Sequence, residues 1–309
     1  MWAISAVLYS AALTPCGVRR ISHTPCRAPR PALALPETQP APSKPSLTSL
    51  MDEAALELDD PNAVVRPKRG PDGRLEPILT LPGDTLADTP QMAGVTAAST
   101  LLTVCVIARA FALSGISAGP LLGVILGGVA GELFSGAFHW ATDNYGALET
   151  PVVGFACAAF QGHHLAPWTI SFRSLPNNVY KIGAATVPLI LAALAWLPPA
   201  GGAFVAVLFY SQLVAQEFHR WTHTPQRLLA PWQRKLQSVG FALPVREHYS
   251  HHRPPFDKHY CILTGRLNGL LDSKPLLFWR RLEAIVYRAN GQEPNSWKDP
   301  RVKALALSL

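Results

Sequence analysis

Four apolar stretches dominate the middle of the chain: about Gly94 to Leu113, Ile116 to Phe138, Ile182 to Leu197 and Ala203 to Gln216. At a helical rise of 1.5 Å per residue, about 20 apolar residues cross a bilayer core. The first two stretches meet that length and the last two are short for it. The pattern predicts an all-α membrane protein with about four transmembrane helices. Val152 to Phe160 is too short to cross and reads as an interfacial or re-entrant piece packed on the bundle. Leu276 to Arg288 mixes Leu277, Phe278, Trp279, Ile285 and Tyr287 with Arg280, Arg281 and Arg288, which predicts an amphipathic helix lying on the membrane surface.

The connections order these elements. Only a few residues around Ser114 and Gly115 join the first two spans, and Pro198 to Gly202 joins the last two. Both are tight hairpins, so the end of span two, the long loop to Lys181 and everything after span four emerge on one membrane face. Residues 220–309 carry 15 Lys or Arg against 6 Asp or Glu, a net of +9 by subtraction. The positive-inside rule makes that face the cytoplasmic side or its plastid equivalent, the stroma.

Ahead of the spans the composition changes twice. Residues 1–36 hold no acidic residue, while Arg19, Arg20, Arg27 and Arg30 lie among Ser, Thr, Ala and Pro, a transit-peptide composition that points to a plastid, with a mitochondrial address as the alternative. From Glu37 to about Pro90 the chain is rich in Pro, Asp and Ser without an apolar period, and it reads as a solvated arm of low order that carries no chemistry. The expected divisions are a leader over 1–45, a polar arm over 46–92, a membrane-embedded domain over 93–275, and the amphipathic helix with its tail over 276–309. Five cysteines form neither a C-x-x-C pair nor a disulfide framework, and Cys261 reads as a small buried hydrophobe.

The candidate chemistry lies in the histidines, nine of whose ten fall between His139 and His259. His139 and Asp143 share a helix face at i and i+4 where span two ends, with a helix-end hydrogen bond as the alternative role of Asp143, and His219 and His223 repeat that spacing at the end of span four. His163 and His164 are adjacent in the loop between them. His248, His251 and His252 lie on one helical stripe, able to converge on one point, and His259 follows, with an ordinary surface role as its alternative. Nine imidazoles and one carboxylate exceed a zinc site, which takes three or four protein ligands. They suit two irons, each with four or five nitrogen and oxygen donors and open positions for oxygen. Two redox metals in a membrane imply oxidation of something apolar. Glu132, two turns deeper than His139, is a candidate to orient a ligand imidazole, with a neutral helix-packing carboxyl as its alternative, as are Gln216 and Glu217 near His219 and Arg246 and Glu247 beside His248, with ordinary surface pairing as theirs.

The strings from His139 to Gly146, Gln161 to Ile170 and Arg246 to His252, followed by His259 to Gly265, resemble the plasmanylethanolamine desaturase family over residues 95–285. The Asp-Asn-Tyr-Gly and Pro-Trp-Thr-Ile strings are most similar to its plastid branch, the fatty acid desaturase 4 type. That resemblance implies a membrane di-iron enzyme that introduces a trans double bond at carbon 3 of palmitate in phosphatidylglycerol, in a chloroplast membrane. It implies a metal-binding set of the histidines above with Asp143, and His259 departs from the family pattern. Clusters at span ends place the cut near the interface, and the basic face suits an anionic lipid and an acidic electron donor such as ferredoxin. The alternatives are an ether-lipid desaturase forming a vinyl ether, a hydroxylase with the same metal core, a membrane zinc hydrolase and a non-enzymatic metal or haem carrier.

Overall fold

The structure, a computed structural model, describes residues 68–309. The expected leader over 1–45 and the first part of the polar arm lie outside the described residues. Residues 68–76 form a small turn of their own, closed by a bridge between Arg69 and Leu75 and by the Gly70 amide donating to the Arg74 carbonyl at 2.8 Å.

The chain from Pro77 onward makes one compact unit. Its long helices are α1 (Pro90–Ser114), α2 (Ala118–Asn144), α4 (Leu175–Trp196) and α5 (Pro199–His223), with α3 (Gly154–His163) in the long loop between α2 and α4. After α5 come α6 (Pro231–Ser238), α7 (Val245–His251), α8 (Asn268–Leu271), α9 (Phe278–Asn290) and α10 (Pro300–Leu307). Thr89 caps α1 through the Met92 amide and Ser174 caps α4 through the Asn177 amide, each with a proline in the first turn, where a missing N–H costs nothing. The expected hairpins are present: Gly115 to Ser117 join α1 to α2, with Gly115 at a φ of 64° that favours glycine, and Leu197 and Pro198 join α4 to α5.

Among the described residues α1, α2 and α4 are long and apolar enough to cross a membrane. The expected fourth span, α5, matches them in length. Its second half carries Gln212, Gln216, Glu217, His219, Arg220 and His223, so it falls short in composition. The outward rows of the first three, such as Leu101 and Val104 on α1, Ile125, Leu126 and Val129 on α2 and Leu191 on α4, are more than a third exposed, as lipid-facing side chains are.

Inside the bundle, Val106, Ile190 and Ala206 are buried where α1, α4 and α5 meet. The close pairing is α2 against α5. Gly123, Gly127 and Gly131 recur every four residues, and a Cβ at any of them would overlap Ala200, Phe204 or Ser211. Small residues at this spacing let two backbones approach, which fixes the depth at which the ends of α2 and α5 face each other.

Below those ends lies a second core of Trp140, Tyr145, Cys157, Tyr260, Cys261, Leu271, Trp279 and Val286. It seats α9, which was expected to lie on the membrane surface. One side of α9 carries exposed Ile285, while the other buries Trp279, Arg280, Glu283 and Ala284. Glu283 is fully enclosed. It pairs with Arg280 at 2.7 Å and accepts from Trp297 Nε1 and Ser296 Oγ, both at 2.9 Å, with Trp140 Nε1 at 3.4 Å. Such a group is buried only because it is paired and hydrogen-bonded.

Candidate metal centre

Both α2 and α5 continue past their apolar runs by about two turns, to Asn144 and His223, and those polar turns carry the first and third histidine clusters. Helical spacing then aims the side chains. Asp143 lies one turn beyond His139 and His223 one turn beyond His219, so each pair faces one way. The loop cluster at the end of α3 and the cluster on α7 complete the centre from the other side.

The donors separate into two groups. His163, His219, His223, His248 and His252 present ligand atoms that all lie within 4.8 Å of one another, and so do His139, Asp143, His164 and His251. In the five-histidine group, successive Nε2 atoms are 3.0 Å (His219 to His163), 3.1 Å (His163 to His223), 3.2 Å (His223 to His219), 2.9 Å (His248 to His223) and 2.8 Å (His252 to His248) apart. In the mixed group, Asp143 Oδ2 is 3.3 Å from His139 Nε2, 3.4 Å from His164 Nε2 and 3.3 Å from His251 Nε2. The two groups adjoin, with the His139 and His219 rings 6.2 Å apart.

The adjacent pairs divide between the groups. His163 goes to one and His164 to the other, and His252 and His251 do the same. The expected convergence of His248, His251 and His252 on one point is therefore corrected. His248 and His252, at i and i+4, share the five-histidine group, while His251 is turned about 100° from its neighbour and reaches the mixed one.

The electrostatics fit metal ions. His163, His248 and His252 are held well below the ordinary imidazole range, chiefly by burial and then by repulsion from neighbouring imidazoles, so they are neutral with a lone pair to give. In the mixed group, His139 Nδ1 lies 3.0 Å from the Tyr260 carbonyl and His251 Nδ1 lies 2.8 Å from the Lys258 carbonyl. A carbonyl only accepts, so each Nδ1 carries the proton and each Nε2 is free to ligate. His139 Nε2 and both Asp143 carboxylate oxygens are buried without a hydrogen-bond partner. Around a cation with bonds of about 2.1 Å, neighbouring donors sit about 3.0 Å apart on an octahedron and about 3.4 Å on a tetrahedron. The separations here are the size of those edges, so each donor group could hold one cation.

His259 is not brought to either group. Its Nδ1 is 2.8 Å from Glu247 Oε2 and its amide donates to Asp272 Oδ2 at 3.0 Å. Glu132 touches no candidate ligand. Its Oε2 accepts from the Thr264 amide at 2.7 Å and, with Ser135 accepting from Ile262, straps residues 260–264 along α2. Glu217 holds Arg220, Trp221 Nε1 at 2.7 Å and Asn178 Nδ2 at 3.1 Å, so it ties α5 to itself and to α4. Glu247 reaches His259 alone among the histidines.

A cavity of about 110 Å³ opens beside the five-histidine group, lined by His163, His219, Phe160, Ile170 and Arg173, and closed by Thr80, Leu81 and Asp84. The last three belong to the expected chemistry-free arm, whose residues 77–89 are pinned across this opening. The Ile78 amide donates to Thr169 Oγ1 at 2.9 Å, Arg173 pairs with Asp84 at 2.5 Å, and Asn177 Nδ2 donates to the Thr85 and Ala87 carbonyls at 3.0 and 3.2 Å. Phe160 lines this cavity, and its ring lies 5.0 Å from that of His139. Nothing in the sequence marks Thr80, Leu81 and Asp84 or the Lys258 carbonyl, because neither apolar periodicity nor a motif carries them.

Residues 129–297 match the family model described as the lipid desaturase domain, more than half of the chain. Over 182 residues the chain is 38% identical to fatty acid desaturase 4-like 1, chloroplastic, of Arabidopsis thaliana, covering 59% of this chain and 61% of that protein. It is equally identical to fatty acid desaturase 4, chloroplastic, of the same plant, over 59% of this chain and 56% of that protein. Plasmanylethanolamine desaturase 1 of Mus musculus is 29% identical over 57% of this chain and 68% of its own length. The chain thus spans less than two thirds of the plant relatives. No solved structure matches it.

Proposed function

The chain belongs to the lipid desaturase family, and we propose that it is an oxidoreductase of the chloroplast fatty acid desaturase 4 type, placing a trans double bond at carbon 3 of palmitate in phosphatidylglycerol. The observation that carries the reading is the pair of adjoining donor groups, five imidazoles and three imidazoles with one carboxylate, at the ends of the apolar helices. Imidazole and carboxylate donors suit iron, and two bound irons would supply activation of O2 with two electrons from an external donor. The overall balance removes one hydrogen from each of two neighbouring carbons and, with two further protons and two electrons, reduces O2 to two waters.

The chain's own residues set the conditions for that chemistry. The eight imidazoles and Asp143 set the ligand positions from four separate elements. Leu81, Phe160 and Ile170 give the cavity beside the five-histidine group apolar walls that accept the first carbons of an acyl chain and exclude water. Because the donors sit at helix ends rather than mid-span, the reacting carbons lie close to the headgroup. A trans product requires the chain to be held extended across carbons 3 and 4. The basic segment 220–309 draws an anionic lipid and an acidic donor such as ferredoxin by charge.

The test is expression in a photosynthetic host that lacks the trans-3 acyl group, followed by fatty-acid profiling of its phosphatidylglycerol. Appearance of trans-3 hexadecenoate supports the reading. Vinyl-ether lipids in a host supplied with ether lipid would assign the chain to the other branch, and no new unsaturation in either lipid contradicts both.

A further inference from the structure

The two donor groups are supported differently. A single loop, Phe256 to Tyr260, touches all three imidazoles of the mixed group. The Phe256 ring lies 4.5 Å from that of His164, the Lys258 carbonyl accepts from His251 Nδ1, and the Tyr260 carbonyl accepts from His139 Nδ1. The Tyr260 ring also packs on those of His139 and His251, at 5.7 and 5.1 Å. In the five-histidine group, by contrast, His219 and His248 bury their Nδ1 atoms without a hydrogen-bond partner.

The loop holds an unusual shape. Phe256 and His259 both have left-handed backbones, φ 59° and 58°, a region that few residues other than glycine adopt and that is least expected of a bulky Phe, less so of His. Such a conformation persists only where the surroundings over-determine it. At Phe256 the Tyr260 hydroxyl donates to the carbonyl at 2.6 Å. At His259 the amide donates to Asp272 Oδ2 and the ring Nδ1 lies against Glu247 Oε2 on α7, the helix that carries His248 and His251. His259 stands between the two residues whose carbonyls orient His251 and His139. Turning it would swing both carbonyls off their imidazoles together.

We infer that His259 is a positioning residue: clasped between Glu247 and Asp272, it fixes the Lys258 and Tyr260 carbonyls that orient the imidazoles of the mixed metal group. The inference rests on the metal-binding reading above and deepens it, since it makes one of the two ion sites depend on a loop that the other does not use. Groups that orient ligating imidazoles commonly contribute 10–100-fold to metal affinity.

The test uses the full chain, purified with its iron, and times iron release to an excess of a ferrous chelator. It is accompanied by thermal melts of the iron-loaded and the iron-free proteins. In His259→Ala and in Glu247→Ala, half of the iron is expected to leave about 10–100-fold faster than in the wild type while the other half keeps its wild-type rate. His259→Asn, which tolerates the left-handed backbone and keeps a side-chain donor, is expected to recover part of the difference. Unchanged release in both alanine variants overturns the inference. Equal acceleration of both halves, or an iron-free melt lowered as much as the iron-loaded one, also overturns it, because a general loss of structure would act that way. If His259→Ala does not fold, Glu247→Ala, at a half-exposed helix position, decides by the same readings. A wild-type chain that does not hold two irons overturns the underlying metal reading, and this inference with it.

Discussion

Glu283 is the position where a single substitution far from substrate is expected to do most damage. Its carboxylate is fully enclosed, neutralises the nearly buried Arg280, and accepts from Trp297, Ser296 and Trp140. Trp140 is the neighbour of His139, and Asn295 and Ser296 bond the Asp143 carbonyl and the Asn144 side chain at 2.7 and 3.0 Å. The cluster thus holds the end of α2 that carries the candidate ligands His139 and Asp143. Removing one partner of a buried ion pair costs about 3–5 kcal/mol, since the remaining charge is stranded. Asp257, whose carbonyl accepts from Arg280 at 3.0 Å, compensates in part and puts Glu283→Ala toward the lower end, about 3 kcal/mol. At about 2–4 °C per kcal/mol for a unit of this size, the melting temperature in detergent should fall by about 6–12 °C. The double variant Arg280→Met with Glu283→Leu should regain about 1–2 kcal/mol of that loss, because no charge is left stranded. A fall of less than about 2 °C in Glu283→Ala, or a double variant as unstable as the sum of its singles, would refute the reasoning.

Three further outcomes follow from the geometry. His163, His248 and His252 are buried neutral, so below about pH 6.5 the unfolded chain binds protons that the folded one refuses, and stability falls as pH drops. Metal-free protein should lose on the order of 1 kcal/mol per pH unit for each such histidine between about pH 6.5 and 5, and a flat denaturation midpoint over that range contradicts their neutral burial. Gly127→Ala forces a Cβ into Phe204 where α2 meets α5 and should cost about 1–3 kcal/mol, read as a lower melting temperature; no change means that the helices are not this close. Asp84→Ala removes the ion pair between Arg173 and the segment over the cavity, leaving only the bond to the Thr85 carbonyl, and hydrogen exchange at the Ile78 amide should quicken about tenfold, the equivalent of about 1.4 kcal/mol. Exchange at the wild-type rate would show that the ion pair does not hold it.

Much of the site was legible in the sequence because hairpins and helical spacing are local properties. Short connections at Gly115 and Pro198 force the ends of α2 and α5 to one face, and i, i+4 spacing then aims His139 with Asp143 and His219 with His223. Hydropathy stops where polar residues begin, whereas backbone hydrogen bonding does not. The spans read as ending at Phe138 and Gln216 therefore run on as helix to Asn144 and His223. What stayed hidden depends on partners distant in the chain. Arg280 and Glu283 look like the solvated side of a surface helix until Trp140 and Trp297 close over them. His259 looks like one more ligand until Glu247 and Asp272 are seen to hold it. Residues 77–89 have no apolar period, and their place over the cavity comes from hydrogen bonds to Thr169, Arg173 and Asn177, some 90 positions away.

The most direct test of the central claim, that nine side chains hold two metal ions at one face of the helix bundle, is elemental analysis of the purified full chain combined with X-ray absorption at the metal edge. About two irons per chain, each surrounded mainly by imidazole nitrogen at about 2.1 Å, is the expected result. One zinc per chain, or no bound metal with enzymatic activity retained, would contradict it.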